Sequence, residues 1–267
     1  MKIINKIFGK EVTYPELNKW NKSLAGIHAL FGILILVLSQ SRAFPVTTNF
    51  LTVNPILSTS SHPVLVTAQR HLFDVRMAYV IAAFFFMSAI AHLIVSTRYR
   101  QKYESDLKIG INKFRWFEYS FSASTMMIAV SFLTGVTDLS SLIMIFTLIL
   151  VMNLLGLVME IHNQTTKKTS WISYVIGCIA GIIPWVVFLI YTVGVEVWGG
   201  GGIPTFVYFI YGTIFVSFNC FAINMYLQYK KIGNWKNYLF GEKMYMILSL
   251  VAKTLLAWQV FFGILRP

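Results

Sequence analysis

The sequence predicts an all-α membrane protein: one domain over residues 1–267, built as a bundle of seven transmembrane helices. Its N-terminus is expected in the cytoplasm, with a short extracytoplasmic β-hairpin between helices 1 and 2. Three observations carry this expectation. Of 267 residues, 57% are hydrophobic and only 12% charged, too few polar groups to coat a water-facing globule, where about a quarter are charged. Apolar runs of spanning length, about 20 residues each, recur with polar punctuation between them. The cations gather on one side of these runs.

In chain order the runs cover residues 18–40, 72–97, 108–132, 139–163, 171–194, 204–229 and 243–265. They are long and continuous, unlike the short alternating segments of a membrane β-barrel. Ahead of the first run, Lys2, Lys6, Lys10, Glu11, Glu16 and Lys19 leave no cleavable apolar core, so the first span is expected to direct its own insertion. The connection 41–71 is the one long loop. Its Ser, Thr, Asn and Pro residues, with β-prone pieces such as Val64-Leu65-Val66-Thr67, predict a small hairpin over one face. Pro184 inside the fifth span frees a carbonyl and predicts a kink. Gly199-Gly200-Gly201-Gly202 reads as a flexible turn, and the lysine that a phosphate-cradling loop needs is missing. Cys178 and Cys220 lie in apolar runs, which predicts buried thiols rather than a disulfide framework or a metal site.

Orientation follows from the cations. The face carrying the N-terminus holds Lys2, Lys6, Lys10, Lys19, Lys22, Arg98, Arg100, Lys102, Lys108, Lys113, Arg115, Lys167, Lys168, Lys230, Lys231, Lys236 and Lys243, seventeen in all, against Arg42, Arg70 and Arg266 on the other. Cytoplasmic loops collect Lys and Arg, so the C-terminus and the 41–71 loop are expected outside. Topology in a lipid bilayer therefore accounts for the net charge of +12 without nucleic acid as a partner.

Two cations fall inside spans, Arg76 and Lys253. Lys253 sits near the middle of the last run, where a protonated amine costs about 2.5–3.5 kcal/mol on insertion scales. It needs a partner or a chemical modification. Among the ten acids, Glu11 and Glu16 are N-terminal, Asp74 begins span two, and Glu104 and Asp106 lie in the second loop. Asp138, Glu160, Glu196 and Glu242 are assigned to span ends or loops, which leaves Glu118. Counted from Lys108 and Gly241, Glu118 and Lys253 lie about 15 and 18 Å deep, so the two can meet, provided that Arg115 snorkels or faces the interior. Two uses stay open: a structural ion pair that fixes helix packing, or an amine that forms an imine with an apolar aldehyde, balanced by a carboxylate. Trp185, Tyr208, Phe215 and Phe218 could wall such a ligand. His28 and His92, with Ser88 one turn before His92, form a candidate proton-accepting polar cluster nearer the N-terminal face.

These residues carry a resemblance. Arg115-Trp116-Phe117-Glu118-Tyr119-Ser120-Phe121-Ser122-Ala123-Ser124 in span three resembles the heliorhodopsins, a divergent family of microbial-type retinal proteins, as does Ser249-Leu250-Val251-Ala252-Lys253 in span seven. Asn219-Cys220-Phe221-Ala222-Ile223-Asn224 and Leu227-Gln228-Tyr229 in span six support it. The resemblance implies a rhodopsin-like bundle with all-trans retinal on Lys253, Glu118 as counterion and Ser249 beside the imine. It further implies His28 and His92 as the cytoplasmic cluster, Met126 and Phe218 against the polyene, an inverted topology, and a homodimer.

A pump needs titratable groups on both sides of the imine, yet span three supplies one carboxylate; Leu107 and Ala129 stand eleven residues to either side of Glu118. The expected function is therefore a light sensor with a slow photocycle and a conformational output to an unidentified signalling partner. A light-gated proton conductance is the alternative, using Glu118 and the histidines inside and Glu196 or Asp74 near the outer mouth. A retinal-free transporter or receptor with a structural Lys253–Glu118 pair is the third reading. No Ser–His–Asp arrangement, zinc spacing or nucleotide loop is readable, so enzyme chemistry is not expected.

Overall fold

A computed structural model describes residues 12–267; the expectations resting on Lys2, Lys6, Lys10 and Glu11 lie outside the described residues. The helices are α1 (Tyr14–Leu38), α2 (Met77–Ser96), α3 (Arg100–Lys108), α4 (Lys113–Leu133), α5 (Leu139–His162), α6 (Ile172–Trp198), α7 (Thr205–Lys230) and α8 (Tyr238–Val260). Strands β1 (Ala43–Val53) and β2 (Leu65–Arg76) lie between α1 and α2, and a π-helical turn, Phe261–Leu265, follows α8.

Thr13 opens α1 by accepting from the Glu16 N–H at 3.4 Å, and Pro15 suits a first turn whose amides have no helical partner. Leu17, Asn21, Leu24, His28, Gly32 and Ile35 then make one buried stripe, while Leu30, Ile33 and Val37 face outward. Among the described residues six helices, α1, α2, α5, α6, α7 and α8 with its π turn, are long and apolar enough to cross a membrane. The remaining long helix, α4, is less apolar because it carries Glu118, Ser120, Ser122, Ser124 and Ser131. Those four serines are buried, so the polar groups of α4 face the bundle interior.

The hairpin outruns the 41–71 loop. The strands pair antiparallel from Ala43–Arg76 to Val53–Leu65, so residues 72–76, expected to begin the second span, belong to β2. Leu72, Phe73 and Val75 suit a strand, and His71 and Asp74 pair in the open at 2.9 Å. Arg76 precedes α2 instead of lying within a span. A register shift at Val46/Thr47 turns β1 toward the α4–α5 connection, where the Thr47 N–H donates to the Thr137 carbonyl at 2.9 Å.

The third span also starts later than expected. Residues 100–108 form the separate helix α3, and the chain turns through Gly110, whose φ of +74° suits glycine. Asn112 then caps α4 by accepting from the Arg115 N–H at 3.0 Å. Glu118 is thus in the second turn of α4, and α8 begins five residues before the expected 243. Equal depth counted from the span starts therefore does not describe the pair. They meet because α4 starts beside Glu242 of α8, to which Asn112 Nδ2 donates at 2.6 Å. Cys178 is exposed, not buried as expected, because α6 turns most of its apolar surface outward.

Around the bundle α1 packs on α2, α2 on α4, α4 on α5, α5 on α6, α7 on α8, and α8 back on α1. The interior is asymmetric. Toward the hairpin it is an apolar core of residues such as Ile35, Ile81, Met127, Val130, Leu256 and Val260. Toward the other end it buries Asn21, His28, Asn112, Arg115, Glu160, Gln228 and Glu242.

Candidate functional site

Lys253, on the inner face of α8 between Ala252 and Leu256, is 2% exposed. Its Nζ donates to Ser249 Oγ, one turn earlier, at 2.8 Å and to Glu118 Oε1 at 3.3 Å. The Ser88 hydroxyl donates to the same Glu118 oxygen at 2.5 Å. Ser88, expected in a cluster with His28 and His92, reaches the carboxylate that lines the same cavity as His92, because α2 packs directly on α4. Tyr119, next to Glu118, donates its hydroxyl to the Tyr245 carbonyl at 2.8 Å and so ties α4 to α8 beside the pair.

The two histidines lie together, rings stacked with centroids 5.6 Å apart. The Asn21 amide nitrogen donates to the Leu17 carbonyl at 3.0 Å, so Asn21 Oδ1 is left to accept from His92 Nδ1 at 2.7 Å. Neutral His92 therefore presents Nε2 as its free acceptor. Neither ring nitrogen of His28 meets a partner among the described residues. A cavity of about 380 Å³ joins His92, Asn21 and Glu118 to Arg115 and Glu242.

On the other side of Lys253 the surroundings are apolar. A cavity of about 400 Å³ is lined by Lys253, Ser249, Ala123, Met126, Phe218 and Phe221, among others. It shares Tyr119, Met152, Asn153, Phe218 and Phe221 with a second, open cavity of about 810 Å³ reaching between α6 and α7. Trp185 forms the aromatic wall with Phe215 and Phe218, edge-to-face at centroid distances of 5.2 and 6.1 Å. Tyr208 is not part of that wall. It donates to Glu196 at 2.6 Å at the far end of α6, where Glu196 also accepts from the Ile203 N–H at 2.8 Å and so braces the glycine turn. Glu196 and Asp74 each have local partners, His71 in the case of Asp74, and neither is among the residues that line the cavity at Lys253.

A second buried cluster was not anticipated. Arg115 faces the interior and its guanidinium bridges Glu160 of α5 and Glu242 of α8, both 1% exposed. The ring of Tyr245 lies 3.9 Å and that of Trp116 4.5 Å from the guanidinium carbon. The two acids had been assigned to span ends, since counting along a helix gives depth but not which way a residue faces. The signal available was that Arg115, Glu160 and Glu242 all approach the same end of the bundle.

Fold and site together define a polytopic helical membrane protein whose internal lysine–carboxylate pair borders an apolar cavity. A comparison with protein families matches residues 17–265 to heliorhodopsin, and the chain belongs to the heliorhodopsin family. A comparison with curated proteins gave no match. Membership makes it an integral, multi-pass membrane protein of a light-sensing retinal family, in which retinal is bound to a lysine; the family is not a classical enzyme family. The residues fit that group: one buried primary amine, a carboxylate to balance a charge on it, and an apolar, aromatic-walled space beside the amine.

Proposed function

We propose that the chain is a light sensor of seven spans, α4 included, with all-trans retinal carried on Lys253 Nζ and Glu118 as its counterion. The observation that supports this reading is that Nζ borders the apolar cavity while donating to Glu118 Oε1 at 3.3 Å. Retinal supplies a polyene that absorbs visible light and, on isomerising, changes the proton affinity of the nitrogen that carries it.

The chain's own residues do the rest. Glu118 Oε1 accepts from Nζ and from Ser88, which compensates a buried positive charge at low cost. Ser249 accepts from Nζ on a second side and fixes its direction. Met126 and Phe218 border the polyene's path and exclude water from it. A proton leaving Nζ meets Glu118 Oε1 first; beyond it, His92 borders the polar cavity and the ring of His28 stacks on His92. Toward the hairpin, Met127, Val130, Leu256 and Val260 offer a proton nothing. Protons are thus held on one side and return slowly, and the output is conformational, directed to a signalling partner.

The cation count supports a cytoplasmic N-terminus and an extracytoplasmic hairpin. The family resemblance supports a homodimer. The local partners of Asp74 and Glu196 favour the sensor over a proton conductance. Expression with all-trans retinal should yield a visible band that hydroxylamine bleaches. A colourless product overturns the retinal reading, and sustained voltage-dependent photocurrents overturn the sensor in favour of conductance.

A further inference from the structure

Glu160 and Glu242 take no part in the mechanism above, yet among the described residues they are buried with one cation, Arg115, bridging them. Every oxygen of the two carboxylates accepts a hydrogen bond. Glu160 Oε1 accepts from Arg115 and from the Tyr238 hydroxyl at 3.3 Å, and Oε2 from the Asn112 N–H at 2.8 Å. Glu242 Oε1 accepts from Arg115 and from Gln228 Nε2 at 3.4 Å, and Oε2 from Asn112 Nδ2 at 2.6 Å. Both amides are fixed in direction, since Asn112 Oδ1 accepts from the Arg115 N–H at 3.0 Å and Gln228 Nε2 also donates to the Tyr238 carbonyl at 3.1 Å. The cluster is thus drawn with both acids ionised and a net charge of −1.

A carboxylic acid must donate its O–H to an acceptor. Guanidinium, amide NH₂ and backbone N–H cannot accept. Among the partners just named, only the Tyr238 hydroxyl can reverse, giving up its donation to Glu160 and accepting from it. Among the hydrogen bonds just named, one proton therefore has a place at Glu160 Oε1 and none at Glu242. The other titratable side chains facing the pair include the phenols of Tyr229 of α7, Tyr245 of α8 and Tyr103 of α3, and Lys243 donates to Glu16 at 2.7 Å.

Tyr238 and Gln228 line the inner wall of a polar vestibule of about 930 Å³ at the end of the bundle where α1 begins, with Lys167, Lys231 and Lys236 at its sides. We propose that Glu160 is a second proton-accepting site of this protein, filled from that vestibule through Tyr238. A hydronium ion in the vestibule gives a proton to the Tyr238 oxygen as the Tyr238 proton passes to Glu160 Oε1; one O–H bond breaks and one forms at each transfer, Tyr238 ends as a neutral phenol that accepts from Glu160, and Arg115 is left balanced by Glu242 alone. Arg115 stands one helical turn before Glu118, so the filling of this site reaches the counterion through α4.

The inference rests on the proposed topology only for naming the vestibule cytoplasmic. The test is infrared spectroscopy of the full chain, reconstituted with all-trans retinal in lipid nanodiscs and titrated in the dark in H₂O and D₂O. Acidification should raise a carboxylic acid carbonyl band that shifts in D₂O and is missing in Glu160→Gln. Tyr238→Phe, which removes no charge, should need about tenfold more acid, a shift of about one pH unit, before the band appears. Glu242→Gln should move it the same way, because Arg115 and Glu160 then balance one to one. A band that survives Glu160→Gln, or that titrates unchanged in Tyr238→Phe, overturns the proposal, and the second variant decides the matter if the first does not fold. The visible band of the same sample separates the two readings: its absence counts against retinal binding, and its presence without a Glu160 signal counts against this site alone.

Discussion

Two ion clusters buried in this bundle stand one turn apart on α4 and follow opposite rules. Lys253 and Glu118 balance one to one, and the amine borders open space on its apolar side. Arg115 faces two carboxylates whose oxygens are all occupied, and aromatic rings cover its guanidinium. The chemistry of the cations separates them further. A buried ammonium can give up its proton and become a nucleophile, whereas a guanidinium stays charged and serves as a planar fork. A reactive centre needs an incompletely surrounded atom beside a cavity, and a structural one needs the reverse.

Mutations can break this contrast at several points. Lys253→Ala should abolish the visible band altogether; a coloured variant would remove the amine from the reactive role. Arg115→Leu strands two buried carboxylates and should lower stability by about 3–5 kcal/mol, read as loss of folded yield and an earlier thermal transition. An unfolding curve like the parent's would show that the second cluster does not hold helices together. Glu118→Gln should keep the fold but shift the absorption to longer wavelength and let the chromophore nitrogen lose its proton more readily, because the carboxylate favours the charged form. An unchanged spectrum would assign the counterion elsewhere.

The smallest effect sharpens the comparison by leaving both clusters untouched. Asp138 caps α5, and donation from the Ser140 hydroxyl, then from the Ser141 and Asn49 amides, holds its carboxyl below the ordinary aspartate value of 3.8. Asp138→Ala should cost about 1 kcal/mol or less at neutral pH, since the site is open to solvent. A carboxyl depressed in the folded state stabilises it fully above the unfolded value and loses that contribution as pH falls through the folded one. Parent and variant should therefore converge in acid, and a gap that widens there would contradict the cap.

Lys253 and Glu118 were legible in the sequence because an apolar run makes a lone charge conspicuous. The membrane class and the hairpin were legible too, from run lengths and from Val64-Leu65-Val66-Thr67. Arg115, Glu160 and Glu242 were not brought together, since each lies near the end of a run where charges ordinarily meet water, and only the rotation of α4, α5 and α8 turns them inward. The hairpin's true length was hidden because the apolar members of Leu72-Phe73-Asp74-Val75 blend into the helix that follows. Tyr208 was placed in the wall of the pocket by helix membership alone; its level along α7 puts it beside Glu196 instead.

The hairpin does more than cover one rim. Thr47 and Asn49 stitch it to the corner between α4 and α5, and Gln40, just after α1, donates through its backbone and side chain to the last carbonyls of the π turn at 2.8 and 3.2 Å. Four helices are thereby clamped at one extremity. A rod held at one tip sweeps its widest arc at the other, so any tilt begun at mid-membrane is amplified away from the clamp, where the loops carrying most of the lysines and arginines stand.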